Sequence, residues 1–408
     1  MTALRAAGTR PSAPAIPGGA PWPSAGRRER ELVEQVLAGG VWGGTMGGPM
    51  AVALGAALAD LHGAAHGVAV SSGTAALHLA LMARDIGPGD EVVVPAYTFA
   101  ATALAVAYTG AIVVFADIDP ATLCLDPASA EAARSERTRA VIPVHFGGTP
   151  ADMRTLAPWA ARHKLAIVED CAHAHGGALG GKGLGTWGEA GCFSFQQNKN
   201  VTGGEGGAII TDDAALADAC RHTLSRFGRV AGGPPHHHVR LGFNYALAEL
   251  PAAVAVAGLE RLPAENAIRD RARRRLVDAM GGIDGVTAIA PADESDVVHA
   301  CHLLAFRVDP VRTGLSAADV AAGLTRSGVA CRTLYPVPLY QQPVFEPGGH
   351  VNGGLGSWRA VATPHAIRAC HEIAYLPQWA LLAGEECAER CVDALTAVIE
   401  HAGEGRSS

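Results

Sequence analysis

The first 220 residues alternate two patterns. Segments with apolar positions at helical spacing, such as RERELVEQVLAGG, MAVALGAALADLHGA and the run from SSGTAALHLALMARDIG, predict helices. Between them lie short runs that are apolar throughout: GVAV, EVVVP, AIVVFADID, RAVIPVHF, LAIVED, CFSF and GGAIITD. Strands without polar alternation are buried on both faces, so this βα alternation predicts a largely parallel sheet with helices on either side. Further helices are predicted over YTFAATALAVAYTG, residues 151–163 and from about residue 213. Beyond residue 256 the pattern changes. A long helix over 247–280, strands at HACHLLAFRVD and VACRTLYPV, and helices at SAADVAAGLTRSG and 383–401 predict a smaller α+β unit. The expected division is a flexible segment 1–28, a large domain 29–255 and a small C-terminal domain 256–408.

Bulk properties narrow the function classes. The chain has 408 residues, 49% apolar and 17% charged, which is a well-buried globular composition. A net charge of −7 argues against a nucleic-acid surface. The one basic block, RDRARRR at 269–275, is spaced like a solvated helix face. Nine cysteines without a CxxC pair read as reduced thiols in a cytosolic protein. Residues 1–28 lack the apolar run of a secretory leader. Phe99 to Ala116 carries no charge, but Gly110 breaks it, so a buried helix followed by a strand is expected rather than a membrane span. Three adjacent histidines at 236–238 have no flanking cysteine or acid and are expected in a loop, not around a metal.

Candidate chemistry gathers at the ends of the predicted strands, where sites of parallel sheets lie. Ser72-Gly73-Thr74 opens a helix after GVAV and offers free N–H groups, a hydroxyl and a helix dipole to a phosphate. Phe99 follows EVVVP. Asp170 ends LAIVED, with His173 three residues on. Ser194 lies in CFSF. Only three lysines occur, Lys164, Lys182 and Lys199. Lys164 suits a helix C-terminus, and Lys182 lies in a glycine-rich turn. Lys199 sits in a polar, glycine-rich connection between two buried strands, where either a plain loop lysine or a Schiff-base lysine fits. Two phosphate-binding elements, a flat ring, a carboxylate and a lysine are together the parts of a pyridoxal phosphate (PLP) site.

The series SSGTAAL, GPGDEVVVPAYTFAATA, IVEDCAHAHGG, FSFQQNKNVTGGEGGAI and LGFNYALAELPAAV resembles the DegT/StrS family of fold-type I, PLP-dependent aminotransferases from about residue 30 onward. The resemblance implies an aspartate aminotransferase-like α/β fold. It implies that Lys199 forms the internal aldimine, Asp170 holds the pyridine nitrogen protonated, and His173 contacts the ring oxygen. Phe99 would stack on the ring, and Ser72, Gly73, Thr74 and Ser194 would cradle the phosphate. Asn244 would reach the phosphate of a second subunit, which implies a homodimer. The implied partners are a small amino donor, glutamine or glutamate, and a ketone acceptor, with no metal, nucleic acid or membrane.

Two departures bear on the substrate. Many sugar-nucleotide members carry FSFHP before the lysine, where this chain has Gln196 and Gln197. Glutamine there looks more like members that act on keto-cyclitols, or that make aminated six-membered ring precursors of antibiotics, than like those acting on nucleotide sugars, and TLYPVPLYQQPVF at 333–345, which contains Tyr335, looks like a cyclitol-type substrate loop. The glutamines either bind ring hydroxyls or satisfy backbone groups, and Arg332 either meets substrate or is a surface strand arginine. Where the family usually has NYRM, this chain has Asn244-Tyr245-Ala246-Leu247, losing a fork of donors near the site. The presence of Lys199 argues against a related dehydratase, and its retention with Asp170 argues against a non-catalytic partner or regulator.

Overall fold

The structure is a computed structural model that describes residues 21–43, 48–229, 233–234, 236–291, 293–346, 348–349, 351 and 357–404. Residues 1–20 of the segment expected to be flexible lie outside this set. Within its remainder, Trp22 is buried, its ring N–H donates to the Gln197 carbonyl at 2.8 Å, and a helix starts at Arg27.

The apolar runs become one eight-stranded sheet. Its strands are β1 (His66–Val70), β2 (Glu91–Pro95), β3 (Ile112–Ala116), β4 (Thr138–Val141), β5 (Ala166–Asp170), β8 (Ala190–Ser194), β9 (Gly207–Thr211) and β14 (Trp358–Ala360). They lie in the order β1-β9-β8-β5-β4-β2-β3-β14. From β8 to β14 the neighbours are parallel, and β9 runs antiparallel to both β8 and β1. Every strand but β9 therefore ends on the same side, and that side collects Ser72, Phe99, Asp170 and Ser194. The strand expected through Phe146 stops at Val141, because Pro143 has no N–H for the ladder. The uncharged stretch 99–116 is a helix, Ala100–Tyr108, then β3, with Gly110 at φ 80° between them. No helix among the described residues is long and apolar enough to cross a membrane.

The smaller sheet is antiparallel: β10 (Val286–Ala288), β12 (Leu303–Val308), β15 (Ile373–Pro377) and β13 (Arg332–Thr333). Helices Ala317–Arg326 and Glu385–Glu404 cover it with their own core of Val320, Leu324, Phe306 and Leu395. A ribbon of β6 (Ala178–Leu179), β7 (Lys182–Gly183) and β11 (Val297–Val298) joins the two units. So does the long helix Glu249–Met280. Its first half buries Ala252, Ala255 and Leu262 in the large core, and its second half buries Ala272, Leu276 and Met280 in the small one.

Two expectations are corrected here. The small domain is not the continuous stretch 256–408: Leu339, Phe345, Ala366 and Ala369 pack into the large core, and β14 joins the large sheet beside β3. Nor is RDRARRR all solvated. Arg269 and Arg273, one helical turn apart, are fully buried between the units. Arg269 is held by Glu265 at 3.0 Å, Gln378 at 3.0 Å and Asn266 at 2.9 Å, and Arg273 forms a two-point pair with Glu294. A guanidinium is tolerated inside when its donors are matched in this way.

The returning strand is fastened by charge. Glu91, wholly buried at the start of β2, accepts hydrogen bonds from Arg359 of β14, Arg137 and the Ser135 hydroxyl. Burial pushes its pKa up, but Arg359 and Ser135 outweigh that and hold it at about 2. A carboxylate with a depressed folded pKa stabilises above its unfolded value and loses that contribution as pH falls toward the folded one. Glu91→Ala is therefore expected to cost about 2–3 kcal/mol at pH 7. Urea unfolding at descending pH should show the deficit shrinking between about 4.5 and 2.

Candidate active site

Lys199 stands on the loop between β8 and β9. The loop is closed at its base by Phe195 N–H to Gly206 O at 2.8 Å and Gly203 N–H to Phe195 O at 3.0 Å. Inside it, Lys199 N–H donates to Gln196 O, and the Gln196 side-chain oxygen accepts Asn198 N–H at 2.8 Å. Trp22 fastens the loop from outside, and Asn200 fastens it from within by donating to Ala300 O at 2.6 Å. Part of the Lys199 side chain is exposed, yet its surroundings are dense enough for desolvation to lower the amine's pKa to about 8, against an opposing pull from Asp170.

Asp170 closes β5 and is buried. It accepts from the Thr102 hydroxyl at 2.8 Å and from Ala172 N–H at 3.1 Å. Burial raises its pKa, partly opposed by Thr102, Ala172 and the Lys199 charge. Thr102 is one turn into the helix that starts after Phe99, and sequence reasoning missed it. Its only signal is its spacing of three from Phe99. His173 accepts Gly147 N–H on Nδ1 at 3.3 Å. Its pKa is far below the usual value, through burial and then the nearby Lys199 charge, so its ring is neutral.

The elements expected to hold a phosphate meet as close as glycine permits. Ser72 caps the helix Gly73–Ala83, accepting Ala75 N–H at 3.1 Å. A Cβ on Gly73 would come within 2.8 Å of Ser194 Cβ, and one on Gly207 within 2.3 Å of the Ser72 carbonyl carbon. The small, hydroxyl-bearing hollow between a helix N-terminus and Ser194 suits a phosphate. Thr74 lies in the first turn of that helix, partly exposed. Phe99 is 64% exposed, an unusual position for a phenylalanine beside a buried strand. With Thr98, Tyr335, Leu339 and Val344 it lines a cavity of about 330 Å³.

The remaining candidates divide. Tyr335 lines that cavity and meets Tyr97 edge to face at 5.0 Å, whereas Arg332 is exposed on β13, opposite Tyr375 of β15. Gln197 is exposed, and Gln196 spends its oxygen on the loop. Asn244 is exposed, next to Tyr245, whose carbonyl accepts Ser71 N–H at 2.7 Å. Ala246 bridges Val70 through its backbone, and the nearby Glu249 accepts Met50 and Ala51 N–H groups. His236 to His238 are exposed, and His238 turns its Nδ1 to Phe227 O. Among the described residues, the group that could approach a metal is instead His145, Glu169 and Cys171, all buried. There Glu169 is already satisfied by His145 and the N–H groups of Gly185 and Gly188, which makes it a structural knot behind Asp170.

These residues fit PLP. A buried, under-neutralised carboxylate suits a cationic ring nitrogen, an amine of lowered pKa suits Schiff-base chemistry, and the hollow at Gly73 suits the phosphate. The sequence pattern of the DegT/DnrJ/EryC1/StrS aminotransferase family matches residues 23–396. The chain is 41% identical over 286 residues to UDP-N-acetyl-3-dehydro-alpha-D-glucosamine 3-aminotransferase of Acidithiobacillus ferrooxidans, covering 70% of this chain and 74% of that one. It is 35% identical over 406 residues to L-glutamine:2-deoxy-scyllo-inosose aminotransferase of Streptomyces lividus, covering 93% and 94%. The crystal structure of 3-amino-5-hydroxybenzoic acid synthase superposes with a TM-score of 0.85 at 31% identity, covering 95% of this chain and all of that one.

Two outcomes are expected. Gly73→Ala should fold but bind PLP at least about tenfold more weakly in an equilibrium titration, because the methyl group enters the hollow. Lys199, charged in the unfolded chain up to about 10.5 but only to about 8 when folded, leaves the unfolded state holding more protons between those values. Lys199 alone therefore adds stability as pH rises across that window, against buried thiols such as Cys171 and Cys192, whose raised pKa values take stability away; the loss between pH 7.5 and 10 should be larger in Lys199→Met than in the wild type, as read by urea unfolding of the cofactor-free protein.

Proposed function

The chain belongs to the DegT/DnrJ/EryC1/StrS aminotransferase family, and from that premise we propose that it uses PLP, works as a cytoplasmic homodimer, and moves an amino group from L-glutamine or L-glutamate to a keto-cyclitol or related cyclic polyol ketone in aminoglycoside-like natural-product biosynthesis. That it is an aminotransferase follows from the family and from its relatives. The observation that carries the cofactor reading is that parallel β5 and β8 bring Asp170 and the Lys199 loop to one sheet edge, beside the hollow between Gly73 and Ser194.

When bound, PLP supplies an electron sink for the carbon that loses its proton. The chain supplies the rest. Asp170 would keep the ring nitrogen protonated and Phe99 would lie against the ring. Ser72, Gly73, Thr74 and Ser194 would hold the phosphate, with Asn244 serving the second subunit. His173, whose Nδ1 is taken by Gly147 N–H, offers its Nε2–H to the ring oxygen. With a pKa of about 8, Lys199 has a substantial neutral fraction near physiological pH and can take the α-proton of the donor and return it.

The cyclitol reading draws on near full-length similarity to an enzyme whose name gives glutamine as donor and an inosose as acceptor. Tyr335 and the 333–345 loop beside Phe99 would meet the ring acceptor. A nucleotide-linked keto-sugar is the second reading, favoured by the 41% identity to a UDP-sugar enzyme. With PLP bound, the visible band should convert to a near-ultraviolet one on adding L-glutamine or L-glutamate, and a keto-inositol should restore it faster than a UDP-linked keto-sugar. Lys199→Ala should slow amino transfer by about 100-fold or more. Failure of both amino acids to convert the band, or recovery only with the UDP-sugar, would overturn the donor or the acceptor assignment respectively.

A further inference from the structure

His302 lies in HACHLLAF, which reads as strand from residue 299. In the fold, β12 begins only at Leu303, and His302, one residue before it, is left at the domain junction with its ring turned to the site. It stacks on His173 with ring centroids 4.1 Å apart and planes 22° apart. Its backbone N–H donates to Gly147 O at 3.0 Å, while Gly147 N–H donates to His173 Nδ1. Gly147 can serve both histidines because it sits at φ 65°, where a Cβ would come within 2.9 Å of Leu303 Cδ1.

The hydrogen bonds fix both tautomers. Asn200 gives its amide N–H to Ala300 O at 2.6 Å, which leaves its oxygen toward His302 Nδ1 at 3.1 Å. His302 therefore carries its proton on Nδ1. His173 accepts on Nδ1 and carries its own on Nε2. Asn200 directly follows Lys199, so the lysine loop and the histidine beside it are joined through one buried pair. The charged and titratable groups facing these rings are Lys199, His175 and Arg269, with His173 and His302 facing each other, and all of them disfavour a second positive charge.

We propose that Asn200 and His302 are positioning residues for His173, fixing its ring plane so that the Nε2–H set by Gly147 faces the cofactor's ring oxygen. This rests on the PLP reading above. A packing role alone would need the flat ring of His302 but neither its Nδ1–H nor the Asn200 oxygen.

The test is the pH midpoint of the visible band in PLP-loaded protein. A donor at the ring oxygen favours the form in which that oxygen bears its full negative charge, which holds the midpoint down; losing the donor moves it up. His302→Phe, which keeps a stacked ring, and Asn200→Ala should each raise the midpoint by about one pH unit, in the direction of His173→Phe. The double variant His173→Phe/His302→Phe should shift no further than His173→Phe alone. Nitrogen-15 shifts of labelled histidines should place the His173 proton on Nε2 and the His302 proton on Nδ1 in the wild type, with the His302 proton shared between its two nitrogens in Asn200→Ala. An unmoved midpoint in both His302→Phe and Asn200→Ala, an unmoved His302 tautomer in Asn200→Ala, or shifts that add in the double variant, would overturn the proposal. A wild type with no visible band would instead defeat the cofactor reading, and the nitrogen-15 measurement would still decide the tautomer.

Discussion

A carboxylate and an amine, both taken largely out of water and close enough to feel each other's charge, set the terms for the rest of this molecule. Burial pushes Asp170 toward its neutral acid and Lys199 toward its neutral amine, while each charge draws the other back. Such a pair is costly in a core and is kept where something further completes it. Its position follows from the sheet. Parallel strands β5 and β8 deliver the two segments side by side, and the helices starting after β1 and β2 bring Ser72 and Phe99 to the same edge.

The surroundings read as supports for that pair. Thr102 fixes one oxygen of Asp170, and Ala172 N–H fixes the other. Behind it, Glu169 and His145 form a closed knot whose hydrogen bonds hold the turn at Gly185 to Gly188. On the lysine side, Trp22, Asn200 and the Gln196 side chain pin the loop from three directions. A loop between strands is usually the mobile part of a fold. Here it is restrained, as a side chain that must meet a reacting atom requires.

Much of this was legible in residue order, for reasons that are local. Uniformly apolar runs of four or five residues between helical patterns favour covered strands, and polar groups at their ends point to one edge, although β1 at the sheet's end is only partly buried. The scarcity of lysine singled out Lys199. What escaped was non-local. β14 is three residues, Trp358 to Ala360, without an apolar run, and joins the sheet because Trp358 packs on Phe115 and Arg359 meets Glu91. Arg269 and Arg273 look like a solvated face until the small domain supplies Gln378 and Glu294. His302 was absorbed into a predicted strand, since nothing near it in sequence shows that Gly147 and Asn200 will meet it.

The central claim is that Lys199, and neither Lys164 nor Lys182, is the amine that holds the cofactor. The direct measurement is to load the protein with PLP, reduce with borohydride, digest it and locate the pyridoxyl group by mass spectrometry. The account predicts one modified position, Lys199, with modification lost in Lys199→Arg and retained in Lys182→Arg. Label at Lys164 or Lys182 in the wild type, or none at any lysine, would contradict it.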